Sequence, residues 1–258
     1  MHSLLSALFY YLWIAPHILL AVILMLMIRR KLYKQFPVFL LYIAFELFQF
    51  IVLLTVFLRA GSLADDRYRG AFALGTAISA ALRFGIIYEI FTELFRNYHG
   101  LSELGRVLFR WATIVLLLIG VALASTHGNG NEFISIVATL DRTVRFMQCG
   151  LLMFLFLFSR YFALSWRNYA FGIALGFGIL ASSELANTAI LSWIGKFSDL
   201  GKGSDILDYL GMAVYHACVL IWIFYLLAPE RETVLTPKQL PEDELEVWNQ
   251  ELQRLLQQ

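Results

Sequence analysis

The chain is short of charge, cysteine and recognisable catalytic signatures, and each shortage removes a class of protein. Only 15% of its 258 residues are charged and 60% are hydrophobic, where a soluble domain carries about 25% charged residues. That balance argues against a soluble domain and points to lipid. Lysines and arginines outnumber acids by one, which speaks against a nucleic-acid partner, because phosphate binding needs a concentrated basic surface. Two cysteines, Cys149 and Cys218, both fall inside apolar runs. They form neither a disulfide framework nor the spacing of a metal site. No Gly-rich phosphate loop, Gly-x-Ser-x-Gly elbow or His-Glu-x-x-His helix occurs, so nothing selects an enzyme.

What is present is a series of apolar runs, at residues 4–28, 37–58, 71–95, 107–125, 133–159, 171–193 and 206–227. Each approaches or exceeds the roughly 20 residues a helix needs to cross a bilayer. The first run has no basic region before it and no small-residue cleavage site after it, so it is expected to be a retained helix. The expected fold is an all-α membrane protein of seven transmembrane helices, with the bundle in residues 1–228. Pro16 should disturb the first helix, because its missing N–H frees a carbonyl one turn back.

Orientation follows from the basic residues. Arg29, Arg30, Lys31, Lys34, Arg96, Arg106, Arg160, Arg167 and Arg231 fall on one side; Arg59, Arg67, Arg69, Lys196 and Lys202 fall on the other. Cytoplasmic connections are the more basic. The N-terminus is therefore expected outside and the C-terminus in the cytoplasm.

The run at 133–159 organises the rest, because it carries Asp141, Arg142 and Arg145. Such groups cost roughly 2.5 to 3.5 kcal/mol each in mid-membrane and so require partners or water. Counting inward from the expected outer ends puts His17, Glu46, Arg83, Arg145, Glu184 and His216 at one depth, within a slab roughly 5 Å thick. Helical spacing adds Gln49 to the face of Glu46, Asn187 to that of Glu184, and Gln148 to that of Asp141 and Arg145. One expectation is a buried ion-pair network that only fixes helix register. The other is a polar pocket open to the outside, in which Arg83, Arg142 and Arg145 hold an anionic group and Glu46, Asp141 and Glu184 balance them. The same acids would suit a proton-coupled or ion transporter, and a third reading is a structural subunit of a larger complex. His17 and His216 lie on the first and last runs, where facing imidazoles would suit a b-type haem. Glu89 and Glu93, four apart, suggest an interfacial salt-bridge cluster with Arg96, Arg106 and Arg110.

Residues 229–258 are of a different material. Seven acids stand against three bases, and Leu245, Trp248, Leu252 and Leu255 would form one stripe of a short helix after Pro241. This acidic tail is expected in the cytoplasm, packed under its own bundle or on a protein partner.

The runs Ile87-Tyr88-Glu89-Ile90-Phe91 and Leu108-Phe109-Arg110-Trp111, with Leu101, Leu104-Gly105, Phe36-Pro37 and Tyr42, resemble a group of uncharacterised bacterial seven-helix integral membrane proteins of about this length. The resemblance implies a bacterial cytoplasmic (inner) membrane and brings no activity with it. Microbial rhodopsins are a poor match, because run 206–227 has no lysine for a Schiff base. The Asp141-Arg142 pair looks like the Asp-Arg of G-protein-coupled receptors but falls on the fifth run, near its outer end.

Overall fold

The computed structural model describes residues 2–60, 66–94, 107, 109–111, 114, 130–158, 168–194 and 201–228, and its elements among these are all helical. Six long helices stand in chain order: α1 (His2–Arg29), α2 (Pro37–Ala60), α3 (Asp66–Leu94), α4 (Gly130–Phe158), α5 (Tyr169–Ile194) and α6 (Gly201–Leu227), with a 3₁₀ turn at Leu32–Lys34. Five of them, all but α4, are long and apolar enough to cross a membrane. That composition fits an integral membrane protein. α4 has the length, but Asp141, Arg142 and Arg145 interrupt its apolar run. The fourth expected span lies mostly outside the described residues, as do Arg96, Arg106 and the acidic tail.

Each helix packs on the next in order, α1 packs on α6, and α3 also reaches α5. The first and last helices thus close a ring. Outside it, Phe109 packs onto α3 against Phe84, Tyr88 and Phe91. Large apolar side chains such as Met25, Phe48, Met153 and Phe224 point outward and exposed, as they should where lipid is the solvent. α1 runs through Pro16 as one helix, and His17 Nδ1 lies 2.8 Å from the Trp13 carbonyl in the disturbed turn.

One half of the ring is packed dry. Leu20, Ile23, Met27, Phe36, Phe39, Phe177 and Trp222 form its core. The rings of Phe39, Phe177 and Trp222 meet at centroid separations of 4.7 to 6.0 Å in tilted and edge-on arrangements, the geometry aromatic quadrupoles favour. Gly176 makes room for the Trp222 indole, and a Cβ there would collide with it. Trp222 Nε1 donates to the Ile173 carbonyl at 3.3 Å, so its polar atom is satisfied inside the core.

The helix ends on this side are closed by side chains from elsewhere in the chain. Glu89 of α3 accepts the Val38 N–H at 2.8 Å and the Phe39 N–H at 3.0 Å. Phe36, before the helix, cannot serve as a cap, so a tertiary carboxylate satisfies the first turn of α2 and meets its dipole. Arg30 donates to the Leu226 and Leu227 carbonyls at 2.7 and 3.2 Å, closing the end of α6. Asn168 accepts the Ala170 N–H at 2.8 Å and caps α5 locally. Glu89 therefore caps a helix terminus, and Glu93 accepts a hydrogen bond from Gln35 Nε2 at 2.8 Å; Arg96 and Arg106, the expected salt-bridge partners of these acids, lie outside the described residues. Arg110 is exposed.

Candidate functional site

The other half of the ring is polar and hollow. A cavity of about 780 Å³ is walled by α2, α3, α4, α5 and α6. Along α3 its wall extends from Arg83 to Tyr68 and Arg69 near the first turn, roughly 22 Å of helix at 1.5 Å per residue. The helix ends at this level are opposite those capped by Glu89 and Arg30.

The wall is organised by a chain of alternating charges. Arg83 of α3 pairs with Asp141 of α4. Asp141 also accepts from Arg145 Nε, one turn further on, at 2.7 Å. Arg145 pairs in turn with Glu184 of α5. Three helices are thus joined by two guanidinium groups and two carboxylates, which neutralise one another. Arg83 and Asp141 are each only 6% exposed, so an uncompensated member would carry a large desolvation cost.

Glu46 stands apart from that chain, on α2. It accepts hydrogen bonds from the Ser79 hydroxyl and from Tyr42, one turn earlier on its own helix. Ser79 Oγ is also 3.5 Å from Gln49 Oε1, and Gly75 leaves the space the Gln49 side chain fills. No arginine or lysine lies within ion-pair distance of Glu46 among the described residues. The Tyr215 hydroxyl, on the same cavity, is buried without a hydrogen-bond partner there. Asn187 Nδ2 donates to the Leu207 carbonyl at 3.4 Å, tying α5 to α6 at the wall.

Of the residues singled out by spacing, Glu46, Gln49, Arg83, Asp141, Arg142, Arg145, Glu184 and Asn187 line the cavity. Arg142 does so as an exposed residue outside the charge chain. Gln148, His17 and His216 do not line it. Gln148 is buried below it with its Nε2 unpartnered among the described residues. His17 stacks on Phe50 at a centroid separation of 3.8 Å, and His216 packs on Tyr11 at 5.6 Å. Each imidazole therefore has its own aromatic neighbour.

The cavity also contains residues that spacing arguments passed over as site groups. Tyr42, Tyr68, Arg69, Thr76, Ser79 and Tyr215 all contribute to its wall. Ser79 precedes Arg83 by four residues and Tyr42 precedes Glu46 by four, so the rule that grouped the charged residues would have found both. Tyr215 carried no such signal, because no acidic, basic or histidine residue lies three or four positions from it. No family profile, curated protein or solved structure matches this chain.

Proposed function

We propose that the protein is a receptor-like, small-ligand-binding membrane protein whose cavity takes up a molecule bearing an anionic group. The observation that carries this reading is the cavity itself. A charge network serving only helix register would close on itself, whereas this one borders about 780 Å³ of space, within the range of ordinary ligand pockets. Arg83 and Arg145 are engaged by Asp141 and Glu184, so they hold the wall in shape. Arg142 lines the same space with no acidic partner among the described residues, and its planar fork of donors suits a carboxylate or phosphate.

Thermal unfolding of the purified protein in detergent, with acetate or inorganic phosphate exchanged for chloride at constant ionic strength, tests the reading. A saturable rise in unfolding temperature is expected with at least one anion, and Arg142→Gln should remove it. No anion-specific rise in the native protein would sink the proposal.

A proton-coupled or ion transporter using Glu46, Asp141 and Glu184 is the second reading, favoured by the presence of all three acids in the lining of one cavity. It requires solute movement in liposomes that Glu184→Gln abolishes, while a receptor shows binding without flux. A structural subunit would instead tolerate replacement of Arg145 and Glu184 together by apolar residues of similar size.

A further inference from the structure

The cavity carries two kinds of polar surface, and the second is built for the opposite charge. Around Glu46, α2, α3 and α6 bring together the Glu46 carboxylate, Gln49 Oε1, Ser79 Oγ and the hydroxyls of Tyr42 and Tyr215, and the Arg83 guanidinium, which is held by Asp141, is close enough to act on the same groups from α3. Asp141 is neutralised by Arg83 and Arg145, but Glu46 has no cationic partner of its own within ion-pair distance among the described residues. Its hydrogen bonds come from neutral hydroxyls. The Tyr215 oxygen, buried and without a hydrogen bond among the described residues, has both lone pairs to offer. A buried polar atom in that state costs free energy until something occupies the space beside it.

We infer that Glu46, Gln49, Ser79, Tyr42 and Tyr215 form a site for a cationic group in the same cavity that Arg142 lines. A carboxylate, an amide oxygen and hydroxyl oxygens are hard donors, matched to an ammonium group or to a small alkali cation and poorly matched to soft metals. The inference rests on the ligand-binding reading above and narrows it. The occupant either carries an ammonium group together with its anionic group, or binds alongside a separate cation such as sodium.

The test uses the native protein in detergent, unfolded thermally in a potassium chloride background of constant ionic strength. Sodium chloride, methylammonium chloride, glycine and potassium acetate are titrated separately. Stabilisation by methylammonium and by glycine, the latter saturating at lower concentration, identifies the ammonium group of a zwitterion. Stabilisation by sodium without methylammonium identifies a free cation. In either case Glu46→Gln should weaken the response by about tenfold, the equivalent of one charge-assisted hydrogen bond. Tyr215→Phe, which keeps the ring and removes only the hydroxyl, gives a second variant should the first fail to fold, and should also weaken the response.

The inference is overturned if sodium, methylammonium and glycine all leave the unfolding temperature where potassium does. It is equally overturned if a cation stabilises both variants as it does the native protein. Acetate separates the two proposals. An acetate response without any cation response leaves the ligand-binding reading standing and removes this one. The absence of both, with no response to inorganic phosphate either, removes both.

Discussion

The two halves of the helix ring are built from the same elements by opposite rules. In the capped half, α1, α2, α5 and α6 close around Phe39, Phe177 and Trp222 with glycine admitting the indole, and side chains satisfy the helix ends. In the cavity half, α2 to α6 hold a neutral charge chain and an oxygen cluster around open space. The first half supplies rigidity through contacts that leave nothing over. The second keeps polar groups available, and can do so because the first holds the helices at fixed spacing. The difference between close packing and a lined cavity is therefore a division of labour along the length of the bundle.

This division can be broken by substitution, and the largest effect belongs to the dry half. Trp222→Ala should lower stability by about 3 to 5 kcal/mol, read as a drop in unfolding temperature in detergent. A loss no greater than that of Leu185→Ala on the cavity wall would erase the contrast.

Next comes the charge chain. Asp141→Asn removes the carboxylate shared by Arg83 and Arg145 and should cost about 3 kcal/mol or more by leaving buried guanidinium charge uncompensated. Arg83→Met combined with Asp141→Leu should cost much less than the sum of the single changes. Additive losses in that cycle would show that the pair does not act as a unit.

The caps should matter less. Glu89→Ala exposes the Val38 and Phe39 N–H groups and is expected to cost about 1 to 2 kcal/mol, with Glu89→Gln falling between it and the native protein. Smallest of all is Thr188→Ala on the exposed rim of the cavity, expected within about 0.5 kcal/mol. Hydrogen exchange would sharpen the contrast further, with slower exchange at the start of α2 than at the start of α3.

Much of this arrangement can be read from residue spacing, and what escapes it has two causes. Asp141 and Arg145, four apart on α4, meet as their spacing requires, since four residues return a helix to within about 40° of the same face. Arg142 follows Asp141 directly, about 100° round the helix, and is exposed for that reason. His216 follows Tyr215 in the same way, and only Tyr215 meets the cavity. Counting residues from the end of a span estimates height, but height does not say which way a side chain faces. The role of Glu89 was illegible for another reason. A carboxylate that caps a helix fifty residues earlier has no local pattern, and only the packing of α3 against α2 creates it.

The sequence by itself determined that long apolar helices form, and that several carry ionisable groups too costly to leave facing lipid. Those outcomes rest on composition and on helical periodicity, which act within each segment. Tertiary structure decided which charges pair, which helix ends are capped and that a hollow survives beside Glu46. These depend on how each helix is turned about its axis toward its neighbours, a rotation fixed by contacts such as Trp222 on Gly176 and Gln49 on Gly75 that join residues far apart in the chain.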